Sequence, residues 1–197
     1  MHEHETVQAD VVYQGRVISV RRDVVTMPGE TSSQRDVVVH PGAVGVVALD
    51  DRGRILLVTQ YRHPVGRRLE ELPAGLLDVA GEPALVAAQR ELAEEAGVAA
   101  ETWQVLVDVL TSPGMTDEAV RIFLARDVRA VARDVQQHEE AELTSAWVEL
   151  DEVVARVFTG EVENAMCVLG VLAADRAVRH GFAGLRSADA PWASRKS

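Results

Sequence analysis

The sequence predicts an α/β (α+β) fold in which strands and helices alternate along one principal domain. Valine-rich segments bounded by turn residues recur through the N-terminal two thirds of the chain. A helix-forming stretch with start and stop signals lies at residues 83–97, and apolar residues recur at helical spacing near the C-terminus. The chain has 197 residues, 47% of them hydrophobic, which is enough for one well-packed core.

The first half of the chain predicts mainly strands. Residues 16–26 and 35–40 are rich in valine and are separated by the turn-forming sequence MPGETSS, so we expect a small N-terminal sheet. After a proline-glycine pair, residues 43–49 and 55–61 flank a polar turn and predict a β-hairpin.

A helix and two further strands follow. Pro83 is suited to a first helical position and Gly97 to a helix end in the left-handed region. Strands are predicted at residues 103–110 and 119–125, joined by a loop at residues 111–118.

Two helices are predicted near the C-terminus. The first carries an apolar stripe that we expect to face the core: Leu150, Val153, Val154, Val157 and Phe158. The second runs from about residue 164 to residue 180. From Ser187 onward the chain is polar, and we expect it to be poorly ordered.

These elements divide the chain into three parts. Residues 1–40 form an N-terminal β region, residues 41–182 form the principal domain, and residues 183–197 form a C-terminal tail.

Composition narrows the class of function. A net charge of −11 disfavours a protein that holds nucleic acid through phosphate contacts, since that requires clustered Lys and Arg. We expect no membrane span, because no uninterrupted apolar stretch reaches the roughly 20 residues needed to cross a bilayer. The N-terminus shows no secretion-signal pattern. The only cysteine, Cys167, is expected in the core, and this usage favours a reducing, cytoplasmic location.

A pair of carboxylates carries the clearest chemical signal. In QRELAEEAGV, Glu91 and Glu95 lie one helical turn apart, where like charges cost roughly 0.2–0.5 kcal/mol. A bound divalent cation would remove that cost. Carboxylate oxygens suit Mg²⁺ or Mn²⁺, and Mg²⁺ commonly completes its coordination with substrate phosphates. The alternative is that these are ordinary solvated charges of a surface helix.

The residues around this pair resemble the signature of the Nudix hydrolases. The matching positions are Gly75, Glu82, Arg90, Glu91, Leu92, Glu94, Glu95, Gly97 and Val98. Six residues separate Gly75 from Glu82, one more than the family pattern has, and we expect the extra residue to be absorbed before the helix. The resemblance implies a mixed β-sheet sandwiched between helices.

Three further features are similar to the ADP-ribose pyrophosphatase branch of that family. Pro113 follows Val98 by fifteen residues, and the sequences QYRHP and ELPAG precede the helix. This resemblance implies Mg²⁺, with Mn²⁺ possible, held by Glu91, Glu95 and the backbone carbonyl of Ala74. It also places the general base and a further metal ligand in HEEAE, residues 138–142. Glu140 is the first choice there and Glu139 the second, and a solvated acidic loop is the alternative.

The same resemblance implies the substrate contacts. Arg62 suits a phosphate contact, with a surface salt bridge as the alternative. Arg35 would reach the ligand from the N-terminal region, either of the same subunit or of the other subunit. Gly114 and Met115 belong to a loop that wraps the substrate in the branch, although Met115 could equally be packing. Arg90 is interpreted as structural support that pairs with Glu94.

The expected activity is hydrolysis of the pyrophosphate bond of ADP-ribose to AMP and ribose 5-phosphate by a homodimer that exchanges its N-terminal strands. The alternatives are another nucleoside diphosphate sugar, NADH or a dinucleotide polyphosphate as substrate, and a non-catalytic ADP-ribose sensor. No aromatic residue stands out as an adenine platform, since aromatic residues make up 4% of the chain, and Tyr13 and Tyr61 are candidates only.

Overall fold

The computed structural model describes residues 3–133 and 143–195. Its strands are β1 Thr6–Gln14, β2 Ser19–Met27, β3 Thr31–Val39, β4 Ala43–Ala48, β5 Arg54–Arg62, β6 Arg67–Glu71, β7 Ala74–Leu76, β8 Val98–Leu110, β9 Ala119–Ala130, β10 Thr144–Glu149 and β11 Arg186–Ser187. Its α-helices are α1 Ala84–Ala96, α2 Leu150–Thr159 and α3 Ala165–Arg179, and one 3₁₀ turn spans His63–Val65. In the described part of the chain, no helix combines the length and apolar character of a membrane span.

The core sheet is mixed, as the resemblance to the Nudix hydrolases implied. Its strand order is β11-β8-β9-β4-β7, in which β4 and β9 run parallel and the other neighbours run antiparallel. A second sheet has the order β10-β5-β6, and the N-terminal strands form a separate sheet in the order β1-β2-β3. The predicted N-terminal sheet is therefore present, with β1 as a strand that the sequence did not indicate.

Helices cover both faces of the core sheet. On one face, α2 and α3 pack through residues such as Val153 and Val171. On the other face, α1 packs through Ala88 and Leu92 against alternate residues of β4 and β9. Cys167 lies in the first of these clusters with no exposed surface, as expected. Burial raises the pKa of its thiol to about 12.

The predicted β-hairpin of residues 43–49 and 55–61 is wrong. Asp50 does organise a tight turn, since its Oδ1 accepts hydrogen bonds from the backbone N–H groups of Arg52 and Arg54. The two strands meet only at one bridge, Leu49 to Ile55, and then enter different sheets. All six residues of β4 are buried. A strand buried on both faces takes a central place between distant partners rather than one arm of a hairpin.

Two smaller expectations also fail. Phe158, assigned to the core-facing stripe of α2, is 78% exposed. The segment from Ser187 to Arg195, expected to be poorly ordered, packs back onto the α1 face of the sheet through Ala188, Ala190 and Trp192. The prediction failed because these few apolar residues lie within a mainly polar segment.

Candidate active site

Helix α1 presents the paired glutamates at the edge of its buried face. Its apolar residues Ala87, Ala88 and Leu92 lie fully buried against the sheet. Pro83 is the residue before the helix rather than its first residue, and Gly97 ends the helix in the left-handed region with φ 64°. Its backbone N–H donates to the carbonyl of Ala93, which closes the last turn.

Glu95 is held against β7. Its side chain is among the few buried charged groups, with the residue only 8% exposed. Its Oε2 accepts a hydrogen bond of 3.0 Å from the backbone N–H of Ala74. This bond fixes the carboxylate beside the strand whose carbonyl is the third predicted metal ligand.

Glu91 lies over Gly75 of the same strand. A Cβ built at Gly75 would overlap the Oε1, Cδ and Cγ atoms of Glu91. Only glycine leaves room for this carboxylate next to β7, which is a physical reason for the residue type at this point of the signature. The two predicted side-chain ligands therefore both lie against residues 74 and 75.

Arg90 connects the carboxylates around the helix. Its Nε and Nη2 donate to the two oxygens of Glu82, each at 3.1 Å. Its Nη1 donates to Glu91 at 2.7 Å and to Glu94 at 3.0 Å. The predicted pairing with Glu94 is confirmed, and the bonds to Glu82 and Glu91 add to it. The hydrogen bonds from Arg90 lower the pKa of Glu82, and those to Glu82 contribute most to a raised pKa of Arg90.

The extra residue before Glu82 lies in a turn outside the helix. Gly81 has φ 78°, and the backbone N–H of Glu82 donates to the carbonyl of Val79. The turn returns Glu82 to within reach of Arg90, so the spacing that matters for the site is preserved.

The residues at this site suit a hard divalent cation. Two carboxylates and a backbone carbonyl at one strand edge provide only oxygen donors, which Mg²⁺ and Mn²⁺ prefer. Within residues 3–133 and 143–195, no cluster of three or more His, Cys, Asp or Glu side chains is arranged for metal binding. Any cation here would therefore complete its coordination with water, substrate phosphate or residues outside that part of the chain. Glu139 and Glu140 lie outside the described residues.

Arg62 takes part in a strong ion pair. Its Nε and Nη2 donate to the two oxygens of Glu71 at 2.9 and 2.6 Å, and Glu71 is only 3% exposed. The salt bridge that the sequence left as an alternative is therefore present. The Arg62 side chain remains 44% exposed. Sequence reasoning missed Glu71 as its partner, although an acidic residue next to Leu72 and Pro73 hinted at a buried charge.

The other predicted substrate contacts lie on β3 and on the loop between β8 and β9. Arg35 is exposed on β3 and donates to Ser33 and to the backbone of Gln34. Gly114 has open space around it, and Met115 is 56% exposed. The N-terminal sheet is tied to their loop, because the backbone N–H of Val38 donates to the carbonyl of Met115 at 2.8 Å. Within one chain, the hydrogen-bond partners of Arg35 among the described residues do not include Glu91 or Glu95.

The chain is similar to known proteins along most of its length. A family model described as the NUDIX domain matches residues 39–166. An ADP-ribose pyrophosphatase of Mycobacterium tuberculosis is 50% identical over 194 residues, which cover 98% of this chain and 93% of that protein. An ADP-ribose pyrophosphatase of Bacillus subtilis is 35% identical over 163 residues, which cover 83% of this chain and 88% of that protein.

A solved structure shares the fold. The crystal structure of an ADP compounds hydrolase superposes with a TM-score of 0.79 at 18% identity, covering 92% of this chain and 97% of that chain. The family match contains the whole of α1, the strand against which its glutamates lie and the parallel strand pair of the core sheet. The chain therefore belongs to the Nudix family of hydrolases.

Proposed function

We propose that this chain is a Mg²⁺-dependent ADP-ribose pyrophosphatase, which hydrolyses ADP-ribose to AMP and ribose 5-phosphate. The observation that carries the proposal is the pair of Glu91 and Glu95 packed against residues 74 and 75, with Glu95 bonded to the strand backbone. The substrate assignment is supported by two relatives named ADP-ribose pyrophosphatase, one of them 50% identical over 98% of this chain.

The reaction adds water across a diphosphate. A water oxygen bonds to one phosphorus, the bridging P–O bond breaks, and each product keeps one phosphate. Bound Mg²⁺ would neutralise phosphate charge and lower the pKa of the attacking water. Glu91, Glu95 and the carbonyl of Ala74 would hold that cation. Glu140 would accept the proton of the water, with Glu139 as the second choice for this role.

Positioning of the substrate falls to residues outside α1. Arg62 would bind a phosphate, since its side chain is 44% exposed while its Nε and Nη2 donate to Glu71. Gly114 and Met115 would cover the substrate from their loop. We propose that Arg35 reaches the ligand from the other subunit of a homodimer, since it lies on an N-terminal sheet that is separate from the core sheet.

The direct test is product analysis with a matched pair of variants. With ADP-ribose and Mg²⁺, the wild type should release AMP and ribose 5-phosphate. Glu95→Gln should lower kcat/KM by about 100-fold or more, because the neutral amide cannot neutralise the cation. Glu101→Gln changes an exposed glutamate of β8 and should leave the rate unchanged. An unchanged rate in Glu95→Gln would contradict the assignment of this ligand.

Two further tests address the base and the substrate. Glu140→Gln should reduce turnover at saturating Mg²⁺, and near-normal turnover would remove Glu140 from the mechanism. A panel of ADP-ribose, GDP-mannose, NADH and diadenosine polyphosphates, compared by kcat/KM, should rank ADP-ribose first. We also propose a cytoplasmic location, because the only cysteine lies unpaired in the core, as in proteins of reducing compartments.

A further inference from the structure

The last part of the chain forms a strap across the α1 face of the core sheet. The C-terminal strap is defined here as residues 186–195. It begins with β11, which pairs antiparallel with β8 through Arg186 to Val105 and Ser187 to Gln104. Beyond β11, Ala188, Ala190 and Trp192 pack on the same apolar cluster as α1.

A buried arginine anchors the strap. Arg121 of β9 is 4% exposed and donates to both oxygens of Asp108, at 2.8 and 3.0 Å. The same guanidinium donates to the backbone carbonyls of Ala190 at 2.7 Å and Pro191 at 3.0 Å. The indole of Trp192 lies over it, with 4.8 Å from the guanidinium carbon to the ring centre. The strap thus supplies acceptors and an aromatic cover that a buried guanidinium needs.

This anchor lies close to the predicted metal ligands. Arg121 pairs with Val44 in the parallel ladder, and Val44 pairs with Gly75 in the next one. Arg121 therefore lies two strands away from the glycine that accommodates Glu91. The strap and α1 share one face of the sheet, side by side.

The first turn of α1 has little local stabilisation of its own. Pro83 precedes the helix without a side-chain cap, and the first turn has no acidic residue. An uncapped start leaves backbone N–H groups without partners, so such a turn depends on packing. The first turn and the strap pack on the same apolar cluster, through Ala84 and Leu85 of the turn and Trp192 of the strap. Between them they line a cleft of about 660 Å³.

We propose that the C-terminal strap positions the first turn of α1 and, through it, the carboxylates of Glu91 and Glu95, with Trp192 as the positioning residue. In this proposal Trp192 acts on the site only through α1. Its ring lies over the guanidinium of Arg121. It also packs on the apolar cluster that α1 shares with the sheet. The inference rests on the proposed function for the role of Glu91 and Glu95 as metal ligands, and not on the identity of the substrate.

The test compares two aromatic-to-alanine variants. Trp192→Ala removes the link, whereas Phe158→Ala removes an exposed ring from α2 on the opposite face of the sheet. Mn²⁺ binding is measured by electron paramagnetic resonance on the substrate-free protein, together with amide hydrogen exchange of residues 84–88. Trp192→Ala should weaken Mn²⁺ binding by roughly fivefold, less than the 10-fold or more that loss of a direct partner of a metal ligand costs.

The pattern of exchange separates positioning from general loss of stability. Trp192→Ala should accelerate exchange in the first turn of α1 and leave α3 as in the wild type. The apparent Mg²⁺ constant for ADP-ribose hydrolysis should rise, while kcat at saturating Mg²⁺ stays within about twofold of wild type. Phe158→Ala should change none of these quantities. Unchanged Mn²⁺ affinity and unchanged exchange of residues 84–88 in Trp192→Ala would overturn the proposal.

The conservative variant Trp192→Phe separates loss of the ring from a general folding defect. The Trp192 indole N–H is buried with no hydrogen-bond partner among the described residues, so the ring alone accounts for its contacts. Trp192→Phe should therefore restore Mn²⁺ affinity and slow exchange to the wild-type level. If Trp192→Ala does not fold, Trp192→Phe decides alone. Weakened Mn²⁺ binding in Trp192→Phe, together with wild-type hydrogen exchange in α1, would contradict positioning by the strap.

Failure of the proposed function gives a different result. A protein that binds Mn²⁺ through Glu91 and Glu95 but does not hydrolyse ADP-ribose would remove the substrate assignment. The effect of Trp192→Ala on Mn²⁺ affinity and on helix exchange would still decide the role of the strap.

Discussion

At Gly75 the backbone of β7 approaches the side chain of Glu91 so closely that any Cβ would overlap the carboxylate. The atoms in the way belong to a flexible side chain rather than to backbone. Substitution there should therefore displace a metal ligand while leaving the fold in place.

The first prediction concerns Gly75→Ala. We expect Mn²⁺ affinity to fall by about 10- to 100-fold, as when support of a metal ligand is lost. The midpoint of urea unfolding should change little, because Glu91 can rotate away. The matched comparison is Gly170→Ala in α3, where a Cβ would clash with Leu72 and crowd Val47 in the core. That variant should lose stability. Unchanged Mn²⁺ affinity in Gly75→Ala would show that the position of Glu91 over the strand has no role in binding.

Arg90 holds three carboxylates that would otherwise repel one another. Its bonds to Glu82, Glu91 and Glu94 span the loop and the helix. Glu82 has a lowered pKa because Arg90 donates to it. A carboxyl group whose pKa is lower in the folded state stabilises the fold at pH values above its pKa in the unfolded state, near 4.5. This stabilisation is lost as the pH falls through the pKa of the folded state.

The second prediction follows from that sign. Arg90→Met should lower the free energy of unfolding at pH 7 by about 1–2 kcal/mol. As the pH falls from 5 through the lowered pKa of folded Glu82, the free energy of unfolding should decrease more in the wild type than in the variant. The variant lacks the ion pair between residue 90 and Glu82, so protonation of Glu82 removes nothing from it. Urea unfolding at a series of pH values measures this. Arg129→Met, at an exposed arginine of β9, should follow the wild-type pH profile. Parallel curves for wild type and Arg90→Met would contradict the linkage.

At the scale of single elements, α3 depends on a specific cap. The side chain of Asn164 accepts a hydrogen bond of 2.9 Å from the backbone N–H of Cys167. Helix α1 has no such cap. The two helices thus begin in different ways, and only α3 stabilises its own start.

The third prediction tests that cap. Asn164→Ala should lower the free energy of unfolding by about 1 kcal/mol, because one backbone N–H loses its partner. Urea unfolding measures the change. Asn164→Asp keeps an acceptor at the helix start and should remain close to wild type. An equal loss in both variants would assign the effect to something other than the cap.

Elements with a local cause could be predicted from the sequence, whereas those that depend on distant partners could not. Gly97 ends α1 because of its own backbone conformation, and Glu91 and Glu95 are neighbours through helix geometry alone. By contrast, the partners of β4 lie 30 and more than 70 residues away along the chain, so its apolar sequence could not distinguish a hairpin arm from a central strand. The pairing of Glu82 with Arg90 likewise depends on how the intervening loop turns.

For the whole molecule, the N-terminal sheet presents an unusual surface. Val7 and Val11 of β1 are each 61% exposed, and Tyr13 on the same strand is 58% exposed. A three-stranded sheet with exposed apolar residues is marginal alone and suits burial against another chain. This is consistent with the proposed homodimer.

The fourth prediction concerns that assembly. Light scattering after size exclusion should give twice the mass of one chain, and Val11→Lys should shift the protein toward monomer, because a buried lysine without a partner is costly. The shift should be accompanied by a loss of ADP-ribose hydrolysis if Arg35 is shared between subunits. Asp10→Lys, at a neighbouring exposed position, is the control for added charge. A monomer with full activity would refute a shared site.

The enclosure of Cys167 makes it an internal reporter. Burial raises the pKa of its thiol to about 12, so the thiol is protonated at neutral pH, and none of its surface is reachable in the folded state. Because the chain has a single cysteine, an alkylating reagent can label the protein only when the α3 side of the core opens. The rate of labelling then reports local opening of that part of the core under native conditions, and it can be compared with and without substrate. No engineered cysteine is needed.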